Sequence, residues 1–242
     1  MLTQINIKKY KSLFNVNIQL EPLTVFIGPN GSGKSNICEA LLSQQPNSSQ
    51  VDFNRQKIAN LLTDIFLNNR ERFIELEQRF IKLMPNIVRI LLKQDGSSNQ
   101  LHLVDKYSDH LIPATDISGG TLRILAFLTA LYQVDSPSII CFEEPENGIH
   151  PWLLHKIMEL LNKVATEGIA GNQAQILITT HSPVLLNYVN PKQVRAVELN
   201  NKGKTQISPL PIDSAHFQAA LEAYDEELGE LWFSNLFGGN PK

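Results

Sequence analysis

Cysteine is almost missing from this 242-residue chain: only Cys38 and Cys141 occur. Two cysteines build no disulfide framework, and both sit in apolar surroundings where they read as small buried residues, as a reducing compartment favours. Long apolar runs are also lacking. The longest, Ile124 to Tyr132, is far too short to span a bilayer. The start Met1-Leu2-Thr3-Gln4-Ile5 has no basic-then-apolar signal pattern. These absences predict a soluble cytoplasmic protein with no membrane association. Charge of one sign is lacking as well. With 21 Lys+Arg against 24 Asp+Glu, the net charge of -3 offers no global electrostatic case for nucleic acid. Local basic clusters, Lys8, Lys9 and Lys11 or Arg70 and Arg72, read as solvated faces. No internal repeat, low-complexity tract or sustained heptad occurs, which excludes a solenoid or a long coiled-coil arm.

What is present is ordinary globular material, 43% hydrophobic and 19% charged, enough for one large α/β domain or one with a modest insertion. Within it, residues 28 to 35 read Gly-Pro-Asn-Gly-Ser-Gly-Lys-Ser, a complete G-x-x-x-x-G-K-[ST] pattern. The apolar run Leu23, Val25, Phe26, Ile27 precedes it as a buried strand, and Asn36 to Leu42 follows as a helix. That order of strand, loop and helix is the context a phosphate-binding loop requires. Gly28, Gly31 and Gly33 let the backbone approach a polyphosphate, flanked by Pro29, Asn30, Ser32 and Asn36. Lys34 is placed to bridge the outer phosphates and the Ser35 hydroxyl to ligate magnesium. The pattern predicts a nucleoside triphosphate site.

Along the chain, Ile5 and Ile7, then Val16, Ile18 and Leu20, alternate as two strands. Ser43 to Gln50 reads as a polar linker without periodicity. Apolar residues at helical spacing from Ile58 to Leu83 predict one long helix or two short ones, stopped by Pro85. Ile87 to Leu92 and Leu101 to Val104 flank Asp95-Gly96-Ser97-Ser98-Asn99 as a hairpin. From Pro113 strands and helices alternate: helix Thr121 to Tyr132, strand Ser138 to Phe142, helix Trp152 to Val164, strand Gln175 to Thr180, then a hairpin of Val194 to Leu199 with Thr205 to Ser208. An acidic helical tail, Asp213 to Phe237, is expected to break at Gly229. The expected fold class is α/β with a mixed central sheet: a core of residues 1–45 and 113–242 carrying a small inserted α/β segment, 46–112.

Ile139 to Phe142 ends in Glu143-Glu144-Pro145, two acids at the carboxyl end of a buried strand, where open α/β sheets bind ligands. Glu143 is the candidate to hold magnesium, and Glu144 the candidate base that polarises an attacking water. Ser118-Gly119-Gly120 immediately before a helix reads as a second anion site or as an ordinary helix cap. His181 ends the buried strand Ile176 to Thr180, either as a structural histidine or as a hydrogen-bond partner of the γ-phosphate or the water.

These four elements in this order resemble the ABC-type ATPase head, and more narrowly the SMC/RecF-like group related to overcoming-lysogenization-defect proteins. The specific parts are Tyr10-Lys11-Ser12-Leu13, Glu143-Glu144-Pro145-Glu146-Asn147-Gly148-Ile149-His150-Pro151, Thr179-Thr180-His181-Ser182-Pro183, and the tail Leu228-Gly229-Glu230-Leu231-Trp232 with Phe237-Gly238-Gly239. The resemblance implies a P-loop NTPase of ABC/SMC type that uses ATP and Mg2+ and closes head-to-tail into a homodimer around two ATP molecules. One subunit would supply the phosphate loop, Glu143, Glu144 and His181, and the other Ser118-Gly119-Gly120. Asn147 falls in the loop that crosses the dimer interface in such heads, and Lys11 is a further candidate to reach the nucleotide. The chain departs from the pattern in Glu143, where Asp is usual, and in Thr121, where Gln is usual. Gln44, Gln45 and Gln94 are all candidates for the glutamine loop. The chain after His181 is too short for a fused nuclease domain, so a DNA-linked process such as repair or phage defence would need a separate effector or nuclease partner. Two other readings are the ATP-binding subunit of a transporter and a non-catalytic ATP-gated interaction module.

Overall fold

In the computed structural model, residues 1–96, 98–108 and 110–239 are described; Ser97 of the expected hairpin loop lies outside them. The chain runs β1 (Gln4–Tyr10), β2 (Leu13–Gln19), β3 (Leu23–Ile27), α1 (Lys34–Gln44), β4 (Ser48–Gln50), α2 (Arg55–Asn68), α3 (Arg70–Leu83), β5 (Ile87–Asp95), β6 (Ser98–Asp105), β7 (Leu111–Pro113) and α4 (Gly119–Tyr132). It continues with β8 (Ile139–Glu143), α5 (Pro151–Thr166), β9 (Gln175–Thr180), α6 (Pro183–Leu186), β10 (Val194–Leu199), β11 (Thr205–Pro209), α7 (Ala215–Ala223) and α8 (Leu228–Phe233).

These elements form two compact units. The first holds Met1–Gln50, Ser138–Glu167 and Gln173–Lys242. Its six-stranded sheet has the order β11-β10-β3-β9-β8-β4. Neighbours from β10 to β4 are parallel and β11 is antiparallel to β10, so the sheet is mixed. Parallel strands covered on both faces carry continuous apolar runs rather than alternation. Accordingly all five residues of β3 and all six of β9 are buried. The antiparallel β1–β2 pair instead alternates, burying Ile5, Ile7, Val16 and Ile18 on one face. That face joins Phe26, Ile37, Leu41, Cys38, Cys141, Leu177 and Val197 in one core cluster. Burial of each large aliphatic there contributes about 1.5–3 kcal/mol before chain entropy is counted. The fully buried Gln175 has its amide satisfied: Nε2 donates to Leu2 O at 2.8 Å and Glu21 O at 3.0 Å, and Oε1 accepts from Leu2 N.

The second unit holds Val51–Pro137 and Gly168–Asn172. It contains the antiparallel sheet β5-β6-β7 and the helices α2, α3 and α4. The boundary suggested at residue 113 falls inside it, so α4 and its Ser-Gly-Gly start belong to this unit.

Two local expectations change, and one open alternative is decided. The polar linker contains an edge strand, β4, paired parallel to Ile139–Cys141. An edge strand needs no apolar alternation, which is why Ser48-Ser49-Gln50 gave no signal. The long helical stretch is two helices: Asn69 ends α2, and its side chain accepts from Arg72 N to start α3. The tail breaks at Tyr224–Glu227, not at Gly229: Asp225 (φ 50°) and Glu226 (φ 63°) are left-handed there. Gly229 sits inside α8, where a Cβ would stand 2.3 Å from Pro183 O, so glycine permits close packing on α6.

Candidate active site

The loop between β3 and α1 is shaped by its contacts behind. Gly33 caps α1 at φ 103°, and a Cβ on it would meet Thr205 Oγ1 at 2.3 Å. A Cβ on Gly28 would stand 2.1 Å from the backbone oxygen of Val197 on β10. Thr205 Oγ1 donates to Ser32 O at 2.8 Å and lies 2.7 Å from Ser12 Oγ. The one hydroxyl proton of Thr205 is committed to the Ser32 carbonyl, so Ser12 donates to Thr205 and accepts from Asn36 Nδ2 at 2.8 Å. A chain of four polar groups thus holds the loop from beneath. Ser12 was quoted only within the Tyr10-Lys11-Ser12-Leu13 segment and Thr205 only as the start of a hairpin strand, and neither was assigned a role at the site.

Lys34 is 6% exposed, and its Nζ donates to Gly28 O at 2.7 Å and Pro29 O at 2.9 Å. Burial lowers its pKa, opposed by the charges of Glu144 and Glu146. Asn30 and Gly31 lie exposed at the loop tip. The Ser32 hydroxyl is buried yet has no hydrogen-bond partner among the described residues. An orphaned donor inside a glycine-lined cradle fits an anion such as a phosphate oxygen.

The acids arrive on β8. Burial pushes the Glu143 pKa up, the neighbouring Ser35 side chain opposes it, and the charges of Glu39 and Glu144 add to it. Among the described residues no three His, Cys, Asp or Glu side chains gather into a metal set. A hydroxyl and one carboxylate nevertheless suit magnesium, which takes few protein ligands and completes its shell with phosphate and water. Glu144 has φ 46°, a left-handed position that is uncommon for a residue with a Cβ and that this chain also adopts at turns such as Asp225–Glu226. Its amide donates to Thr179 O at 2.8 Å, its Oε2 accepts from Asn147 Nδ2 at 2.7 Å, and its Oε1 lies 3.3 Å from His181 Nδ1. That last contact lacks hydrogen-bond geometry.

Lys34, Ser35, Glu143, Glu144 and His181 therefore come together at the carboxyl ends of β3, β8 and β9. Lys11 pairs with Glu39 on α1, which raises its pKa. Ser118 caps α4 in the second unit, its Oγ accepting from Thr121 N at 3.2 Å, with Ser118 and Gly119 exposed and Gly120 partly so. Gln44 ends α1, Gln45 follows it, and Gln94 lies on β5. Glu146, quoted in the sequence without a role, is half-buried beside His181 with Thr180 Oγ1 donating to its Oε1 at 2.5 Å.

A family model described as "AAA domain, putative AbiEii toxin, Type IV TA system" matches residues 50–187, and one described as "AAA ATPase domain" matches residues 1–88. The zinc import ATP-binding protein ZnuC of Buchnera aphidicola subsp. Schizaphis graminum is 26% identical over 197 residues, covering 78% of this chain and 74% of that protein. A solved SMC head bound to the C-terminal winged-helix domain of ScpA matches with a TM-score of 0.62 at 12% identity, covering 85% of this chain and 96% of that one. The Pyrococcus furiosus SMC head with an extended coiled coil, bound to the C-terminal domain of ScpA, matches with a TM-score of 0.59 at 11% identity over 92% of this chain and 99% of that one.

Proposed function

The chain belongs to the AAA-domain family whose model spans residues 50–187, has the fold of an ABC/SMC-type P-loop ATPase head, and we propose that it binds and hydrolyses ATP as a head-to-tail homodimer. The observation that carries this reading is the convergence of Lys34, Ser35, Glu143, Glu144 and His181 at the ends of three parallel strands. Gly28 to Ser35 cradle the triphosphate with backbone N–H groups, helped by the Ser32 hydroxyl and by Asn36 at the start of α1. Lys34 leaves the Gly28 and Pro29 carbonyls for the outer phosphates. Ser35 and Glu143 hold Mg2+, which when bound neutralises charge on the β- and γ-phosphates. Glu144 orients the attacking water and accepts its proton as ATP and water become ADP and phosphate. His181, beside Glu144, donates to the γ-phosphate or the water.

Ser118, Gly119 and Gly120 of a second copy complete the site at the γ-phosphate, using the start of α4. ATP closes the pair and hydrolysis opens it, because only the triphosphate contacts both copies. The cycle serves a DNA-linked process in the cytoplasm, repair or phage defence, with a separate effector or nuclease protein. A second reading, the ATP-binding subunit of a transporter, draws on the import ATP-binding proteins among the relatives. Copurification with a membrane permease would favour it.

The test is light scattering and phosphate release with and without ATP, Mg2+ and double-stranded DNA. The reading expects doubling of mass with ATP and Mg2+. Glu144→Gln is expected to double in mass while releasing no phosphate. A Glu144→Gln variant that hydrolyses at the wild-type rate refutes the assigned base, and a mass unchanged by ATP refutes the dimer.

A further inference from the structure

Glu146 is a half-buried carboxylate that none of the proposed steps uses. Its Oε1 accepts from Thr180 Oγ1 at 2.5 Å and faces His181 N at 3.4 Å. Thr180 is fully buried, and its Oγ1 also accepts from Ser182 N at 2.9 Å. One carboxyl oxygen thus meets Thr180 and His181 directly, and Ser182 is tied in through the Thr180 hydroxyl. The same turn carries Glu144, whose Oε2 accepts from Asn147 and whose Oε1 lies beside the His181 ring. We propose that Glu146 is a positioning residue: it latches the Glu144–Asn147 turn to the backbone of His181 and so sets the distance between the base and the histidine.

The latch rests on the proposed hydrolysis, but its geometry is a property of the chain alone. The second oxygen, Oε2, is buried and has no hydrogen-bond partner among the described residues. A carboxylate with one oxygen dry and unpaired is costly, whereas a proton on that oxygen removes the charge and leaves Oε1 free to accept. Burial pushes the Glu146 pKa up in agreement, with Thr180 and the His181 amide opposing. A neutral carboxyl and a glutamine amide are then equivalent acceptors for Thr180. This separates a latch from a charged catalytic group, which glutamine cannot replace. The Lys34 contacts to Gly28 O and Pro29 O do not involve Glu146, so affinity for ATP is expected to survive its loss.

The experiment compares wild type, Glu146→Ala, Glu146→Gln and Thr180→Val in the full chain. It reads single-turnover hydrolysis, affinity for a fluorescent ATP analogue, and amide hydrogen exchange at His181 and Ser182. Glu146→Ala should hydrolyse roughly 100-fold more slowly, the scale of a misplaced catalytic group. Its nucleotide affinity should stay within about 3-fold of wild type, and exchange at His181 and Ser182 should accelerate. Thr180→Val, which removes the donor to Glu146 and also the acceptor for Ser182 N, should slow hydrolysis and accelerate exchange at His181 in the same direction. Glu146→Gln should match wild type within about 3-fold throughout. A Glu146→Gln as defective as Glu146→Ala overturns the latch, and so does unchanged exchange at His181 in Glu146→Ala. If wild type hydrolyses no ATP, the hydrolysis reading fails by itself, and the exchange data alone then decide for or against the latch.

Discussion

Replacing Thr205 by Val removes one hydroxyl from beneath the phosphate loop and little else. The side chain is 3% exposed and the two residues have nearly the same shape, so packing is kept. What is lost is the donor to Ser32 O and the acceptor for Ser12 Oγ. Leaving a buried carbonyl without its donor costs about 1–3 kcal/mol, and Ser12 keeps Asn36 as a partner, so the lower half of that range applies to the second loss. A loss of about 2 kcal/mol of stability is expected, a factor of roughly 30 in the unfolding equilibrium. Urea titration followed by circular dichroism measures it, with Thr205→Ser as the control that retains the hydroxyl. Nucleotide affinity should fall as well, because the Ser32 peptide is part of the cradle. A Thr205→Val whose midpoint lies within 0.5 kcal/mol of wild type, a tolerance typical of neutral surface changes, would show that the polar chain under the loop carries no energy.

Gly28→Ala should be severely destabilising or insoluble, since its Cβ meets the Val197 backbone oxygen at 2.1 Å and neither strand can yield; a soluble variant with wild-type melting refutes the packing. Glu146→Gln should raise the melting temperature at neutral pH. Its parent carboxyl has a folded pKa above the ordinary 4.5, so its penalty is absent below that value and grows as pH rises through the raised pKa. The gain should therefore vanish near pH 4, and a gain independent of pH would mean that the carboxyl is not charged at a cost. For the shared site, mixing Ser118→Arg with Lys34→Ala subunits leaves one intact composite site, and recovery of part of the wild-type ATPase rate is expected. No recovery counts against head-to-tail donation.

Much of the phosphate site was legible because its parts are contiguous. Strand, glycine turn and helix between Leu23 and Leu42 follow from local rules about burial, positive φ and helix starts, and β3, the loop and α1 appear where those rules put them. The acidic end of β8 was legible for the same reason: four apolar residues in a row mark a parallel strand, and Glu143 is its last residue, at the carboxyl end where such sheets bind ligands. Gly229 misled because a glycine in a helical stretch reads as a break, while here it answers a backbone oxygen on another element. The polar edge strand β4 had no pattern to read at all.

The amino-acid order alone determined which residues present themselves to a triphosphate, since neighbours along a chain share a turn whatever else folds. Only the tertiary structure decided what holds them. Thr205 reaches Ser12 across 193 positions and Ser32 across 173, and Glu146 reaches Thr180 across 34. Contacts at such separations depend on strand order, which no local spacing encodes. The burial that leaves Ser32 Oγ and Glu146 Oε2 without partners arises only when the strands and loops close over them.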